Sequence, residues 1–136
     1  MIPVDDLRTE NEGIHDLGQV LSAVIGHENL YTNEIACELR DRYIARIEAH
    51  LSHEDRGMYT EMLRSRDREQ EKIANQFLEN TRELRRILGR YKRNWCREPN
   101  GPFDDYMKDT ASVIDLMSER MDLEARRLFP VLEKAA

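Results

Sequence analysis

His50-Leu-Ser-His-Glu54-Asp-Arg-Gly-Met58-Tyr59 is matched further along the chain by Arg120-Met-Asp-Leu-Glu124-Ala-Arg-Arg-Leu128-Phe129, at an offset of 70. In both stretches a glutamate is followed, four residues on, by an apolar pair. The segments upstream match more weakly: Glu10-Asn11-Glu12-Gly13-Ile14 lies on Glu69-Gln70-Glu71-Lys72-Ile73, at an offset of 59. Two copies of a helix pair are the simple reading of this pattern.

Apolar periodicity extends the reading to the whole chain. Steps of three and four, the mark of a helix with one buried face, link Leu7, Ile14, Leu17, Leu21 and Val24 in a first segment that ends near Gly26-His27. A second segment, from about Thr32 to Leu63, carries Ala36, Tyr43, Ile47, Leu51 and Met58. The third, Ser65 to Asn94, carries Ile73, Phe77, Leu84, Ile87, Leu88 and Tyr91, and the fourth carries Val113, Ile114, Met117, Met121 and Leu128. Between the third and fourth, Glu98-Pro-Asn-Gly-Pro102 cannot continue a helix. Between the second and third, only Arg64-Ser65-Arg66-Asp67 marks a turn, with Ser65 as the expected N-cap. The expected fold is all-α: one up-down-up-down antiparallel four-helix bundle spanning residues 1–136.

Composition narrows the partners. With 27 acidic and 21 basic residues the formal charge is -6, which repels a phosphate backbone, so nucleic acid is not an expected partner. No apolar run approaches membrane-spanning length, and the acidic start Met1-Ile-Pro-Val-Asp-Asp lacks the basic-then-apolar order of a secretion signal. A cytoplasmic protein without membrane contact is expected. Cys37 and Cys96 are far apart and in no C-x-x-C spacing, which points to reduced thiols, with no disulfide framework or zinc site. No serine or cysteine is accompanied by a base and an orienting acid, so nucleophilic catalysis is not expected.

Polar residues interrupt the inward stripes at related points. Asn11 lies between Leu7 and Ile14, and Gln70 precedes Ile73 by one turn; His50 and Glu54 follow Ile47, and Arg120 and Glu124 follow Met117. Buried polar groups are costly unless paired or bound, so six such residues point to one polar centre. The i, i+4 spacing puts His50 and Glu54 on one face, where an imidazole and a carboxylate can bind a divalent transition metal.

These residues resemble the hemerythrin family, specifically its bacterial single-domain HHE cation-binding members. The family pattern has a histidine on the first and third helices, and H-x-x-x-E with a further acidic residue and an apolar pair on the second and fourth. His50, Glu54, Asp55, Met58 and Tyr59 fit it on the second helix; Glu124, Leu128, Phe129 and Pro130 fit it on the fourth. The resemblance implies a non-haem di-iron site bridged by two glutamates, but only His50, Glu54 and Glu124 stand at matching ligand positions. Arg120, Asn11 and Gln70 occupy the other three. A guanidinium about 4 Å from a divalent ion is repelled by roughly 8 kcal/mol at an effective dielectric of about 20. The expected cofactor is therefore none, or a single iron or other divalent metal, with Arg120 donating to Glu54 and Glu124 in the metal's stead.

His50 is then expected to carry a proton as a second positive charge. His15, one turn beyond Asn11 and about 40 degrees around the helix, is a substitute ligand on the alternative reading. His27 is expected at the first helix's end, His53 in solvent, and Trp95 over one end of the bundle. The leading expectation is a non-enzymatic binding, sensing or regulatory bundle acting through a protein partner or a small ligand. The alternatives are an iron protein that binds or senses dioxygen, and a purely structural or oligomer-forming domain, including a homodimer.

Overall fold

The computed structural model describes residues 3–96 and 99–135, so Glu98 of the expected interhelical break lies outside it. Helix α1 (Val4–Val24) and a 3-10 turn (Glu28–Leu30) lead into α2 (Glu34–Asp55) and the short α3 (Met58–Arg64). Helix α4 (Arg68–Trp95) follows, and then α5 (Phe103–Leu123), a π-helical turn (Glu124–Leu128) and α6 (Phe129–Ala135) run on without a break. Among the described residues there is no strand, and the elements form the four arms of an all-α bundle.

Side-chain pairs fix the antiparallel directions. Arg8 near the start of α1 pairs with Glu133 near the end of α6, and Lys92 late in α4 meets Glu48 of α2 at 3.2 Å while Arg85 meets Asp55. Tyr91 and Trp95 at the end of α4 bond Thr110 and Asp109 near the start of α5, both at 2.8 Å. Tyr31, Trp95, Phe103 and Tyr106 pack at that end, with Tyr31 and Tyr106 centroids 5.2 Å apart. Gly101 lies against Trp95: a Cβ there would stand 2.8 Å from the indole ring.

Two expectations about helix ends are corrected. The second arm is not continuous from Thr32 to Leu63. It starts at Glu34, capped by Asn33, whose side chain accepts the Ile35 N–H at 2.9 Å. It stops at Arg56-Gly57, where Gly57 takes φ 91, a left-handed backbone that glycine alone adopts without strain. Ser65 does not cap the third arm either. Asp67 does, its Oδ1 accepting the N–H groups of Glu69 (2.8 Å) and Gln70 (3.3 Å), whereas the Ser65 hydroxyl donates back to Met62 O (2.7 Å) at the end of α3. The serine is two residues too early to reach the orphan donors of a helix that starts at Arg68.

The π turn is a third feature that apolar periodicity does not show. Pro130 has no N–H to donate, and its ring clashes with the carbonyl four residues back in a regular helix. The chain widens just before it, and the Phe129 N–H bonds the Glu124 carbonyl.

The apolar core is divided in two. One cluster, built on Ile14, Ile47, Leu51, Leu84 and Met117, fills the half toward the aromatic end. The other, built on Leu7, Met58, Phe77, Leu128 and Phe129, fills the opposite half. Each long arm passes from one cluster to the other through a polar residue: Asn11, Glu54, Thr81, and Arg120 with Glu124. No helix among the described residues is long and apolar enough to cross a membrane.

Asp67→Ala should lower the unfolding free energy by about 1 kcal/mol, the usual loss for an N-cap carboxylate, with Ser65→Ala costing less. Urea denaturation of the two variants checks this, and the reverse order would return the cap to Ser65.

Candidate functional site

The polar layer is organised around the guanidinium of Arg120, which is 1% exposed. Its Nε donates to Glu124 Oε2 at 2.7 Å and its Nη2 to Glu54 Oε1 at 3.0 Å. Nη2 also donates to Tyr59 Oη at 3.0 Å, and Nη1 donates to Asn80 Oδ1 at 2.7 Å and to the Phe77 carbonyl at 3.4 Å. The five N–H groups of the side chain are thereby matched by five acceptors. The Phe77 ring lies against the guanidinium, 4.8 Å from centroid to Cζ.

His50 closes the opposite side. Its Nε2 faces Glu124 Oε1 at 2.8 Å and its Nδ1 faces Glu10 Oε1 at 2.8 Å. Carboxylate oxygens only accept, so both ring nitrogens must carry protons for both bonds to form. Burial alone would lower the imidazole's pKa, but the hydrogen bond and charge of Glu124, with Glu54 and Glu10 behind them, outweigh it and raise it to about 9. His50 is therefore an imidazolium at neutral pH.

The two glutamates divide the remaining roles. Burial opposes ionisation of Glu124, but bonds from His50 and Arg120 prevail and hold its carboxyl below the usual range. Asn11 adds a third donor, Nδ2 to Oε1 at 3.2 Å. Glu54 goes the other way: burial first, then the charge of Glu124, push its carboxyl well above the usual value, and its Oε2 is buried without a partner. The cations Arg120 and His50 thus bond Glu124 and Glu10, while burial and the charge of Glu124 favour the protonated form of Glu54.

Several sequence expectations need correction. Gln70 does not join the centre: it lies in the first turn of α4, and the residues of that helix that reach Arg120 are Phe77 and Asn80. Thr81, 4% exposed, is the buried polar residue of α4 at this level. It lies four residues beyond Phe77 and three before Leu84, so the stripe argument itself contains the signal; the weak repeat drew attention to Gln70 instead. His15 is exposed and bonds Gln19 at 3.3 Å on the surface of α1, away from the cluster. His53 is not free in solvent, because its Nδ1 pairs with Glu10 Oε2. Glu10 was missed because Asn11 holds the inward position, yet the longer glutamate reaches both histidines from the helix flank. His27 is exposed.

Among the described residues, His50, Glu54 and Glu124 form a candidate cation cluster, with one potential ligand atom from each lying within 4.8 Å of the others. A two-iron centre does not fit the donor set. Arg120 engages an oxygen of each glutamate, and both His50 nitrogens are committed to carboxylates, whereas a ligating imidazole must offer a bare nitrogen.

The titrations have a measurable consequence. His50 carries a folded-state pKa raised from 6.5 to about 9, so the stability it contributes is full below pH 6.5 and is lost as pH rises through 9. Glu54, raised from 4.5, binds a proton in the folded chain that the unfolded chain releases earlier, which also lowers stability as pH rises. The depressed carboxyl of Glu124 acts oppositely, but only below 4.5. Urea midpoints should therefore be highest in mildly acidic buffer and fall steadily to pH 9; a midpoint that climbs over that range would contradict the protonation assignments.

Comparison with known proteins agrees with this architecture. The hemerythrin HHE cation binding domain matches residues 2–132 of the 136-residue chain. No curated protein and no solved structure gives a significant match. A match over nearly the whole sequence, on a bundle whose arms converge on a buried histidine and two glutamates, shows that the chain belongs to the hemerythrin HHE cation-binding domain family.

Proposed function

We propose that this protein is a non-enzymatic member of that cation-binding family, a binding, sensing or regulatory bundle whose centre is held by an arginine where relatives hold metal. The observation that carries this reading is the pair of bonds from Arg120 to Glu54 and Glu124, at 3.0 and 2.7 Å, inside a fully buried layer. A fixed cation already bonds both side chains that would bridge two ions, so the reading needs no cofactor. The protein then works through its surface, by contact with a protein partner, or through a small ligand; catalysis has no support in an activated nucleophile.

A second reading rests on a specific observation. Nδ1 of His50 is anchored on Glu10 while Nε2 points at the two glutamates. A carboxylate behind a histidine is the usual support for a metal ligand. With Arg120 turned aside and His50 deprotonated at Nε2, His50, Glu54 and Glu124 offer three donors to a single iron or other divalent ion. Such a protein would be an iron protein that binds or senses dioxygen.

Metal content separates the two. Purified from cells supplied with iron, the native chain should contain far less than one ion per molecule and show no oxo-bridge or peroxo absorption. Stoichiometric iron with such bands would overturn the arginine-centred reading. Arg120→His should gain metal relative to the native chain, because it removes the competing cation and adds a nitrogen donor. Failure to gain any would place the main obstacle at Asn11 and at Phe77 and Thr81 of α4.

A further inference from the structure

A cavity of about 280 Å³ lies beside the polar layer, where the break at Gly57 separates α2 from α3. It is small next to the pockets that hold drug-sized ligands. Asp55 at the end of α2, Tyr59 and Leu63 of α3, and Leu78, Thr81 and Arg82 of α4 line it. Two of these side chains are built into the core: Tyr59 is 2% and Thr81 is 4% exposed. The Tyr59 oxygen accepts the Arg120 Nη2–H at 3.0 Å, so its own proton is left to donate elsewhere.

Polar groups in the walls are left unsatisfied. Thr81 Oγ1 lies near the Tyr59 phenol but is buried without a hydrogen-bond partner. Asp55 Oδ1 is buried and unpartnered too, while Oδ2 accepts from Arg85. Arg82 is exposed at the mouth and has no ion-pair partner among the described residues. Buried polar atoms without partners cost free energy that a fitting ligand recovers.

These groups define the ligand. The Tyr59 and Thr81 hydroxyls can donate, and Arg82 brings a positive charge, a set that suits a carboxylate. Asp55 Oδ1 only accepts, so it calls for an N–H or O–H on the same molecule. Leu63 and Leu78 suit a short aliphatic part. Asp55 and Arg85 balance each other, so the lining keeps the charge of Arg82 and favours an anion or zwitterion over a simple amine.

We propose that this cavity binds a small amino or hydroxy carboxylic acid, its carboxylate held by Tyr59, Thr81 and Arg82 and its amino or hydroxyl group by Asp55. The proposal deepens the reading in which the protein works through a small ligand, and rests on it. Through Tyr59 Oη, the ligand stands one hydrogen bond away from the guanidinium of Arg120.

The test titrates the intact chain by calorimetry with L-alanine and with L-lactate. Propionate, which lacks the donor, and isopropylamine, which lacks the carboxylate, are the controls. At least one of the two acids should bind saturably at one site per chain, about ten-fold or more tighter than either control. Thr81→Val keeps the side chain's shape and removes an unpartnered hydroxyl; it should leave the urea midpoint of the free chain no lower and weaken binding about ten-fold. Arg82→Gln, at the exposed mouth, should weaken binding similarly. No saturable binding of either acid, propionate binding as tightly, or full affinity in either variant would overturn the proposal; if Thr81→Val does not fold, Arg82→Gln decides. Metal content measured on the same preparation keeps the two readings apart: a metal-free chain that binds neither acid contradicts the cavity assignment and leaves the arginine-centred reading standing.

Discussion

Arg120 donates to Glu124 and to Glu54 where the bundle admits no solvent, and the balance of charge around those two bonds governs the layer that joins the four arms. Burying an ion costs several kcal/mol, and the attraction of a partner offsets that only when the remaining donors and acceptors are also satisfied. The demand explains why so many elements contribute. Helix α1 brings Glu10 and Asn11, α2 brings His50 and Glu54, α3 brings Tyr59, α4 brings Asn80 and a backbone carbonyl, and α5 brings the arginine itself. The interruption at Gly57 restarts the helix so that Tyr59 can reach the guanidinium, and the π turn lies directly after the residue that receives its Nε–H.

On the proposed reading, the family's scaffold carries a guanidinium at the point where a metal ion would sit. A metal ion can be gained or lost, whereas a guanidinium is permanent and brings five directed donors. On that reading the centre does not exchange ligands, and the guanidinium ties helix register and protonation together. Glu54 is the least satisfied member of the layer: one oxygen meets Arg120, the other is buried and unpartnered, and burial with the charge of Glu124 pushes its carboxyl well above the usual range.

How far the sequence reveals this depends on the length scale of each signal. The arms are legible because their stripes repeat over many turns, and Glu98-Pro-Asn-Gly-Pro102 rules out helix at one corner. Features governed by one or two residues are less so. Gly57 sits inside a stripe whose apolar spacing continues through Met58, so periodicity bridges the break. The π turn inserts a residue without disturbing the apolar tail. Within the site, His50, Glu54, Arg120 and Glu124 are legible as polar residues on apolar stripes, and Thr81 is by the same rule. Glu10 and Asn80 are not, because they reach the centre from helix flanks, and that depends on side-chain length and neighbouring helices. Arg40, buried elsewhere in the bundle, is legible by the stripe rule, four residues after Ala36 and three before Tyr43 on the stripe of α2.

The central claim is that the guanidinium of Arg120 holds the buried carboxylates in place of a metal. Its most direct test is the unfolding free energy of Arg120→Met, which keeps much of the side chain's length and removes only its charge and donors. Removing the donors that bond Glu54 and one of the two cations that bond Glu124 should cost about 3 to 5 kcal/mol, and adding Glu124→Gln to that variant should recover part of the loss. A loss below about 1 kcal/mol, the range of an exposed ion pair, would show that the arginine is not what holds the centre together.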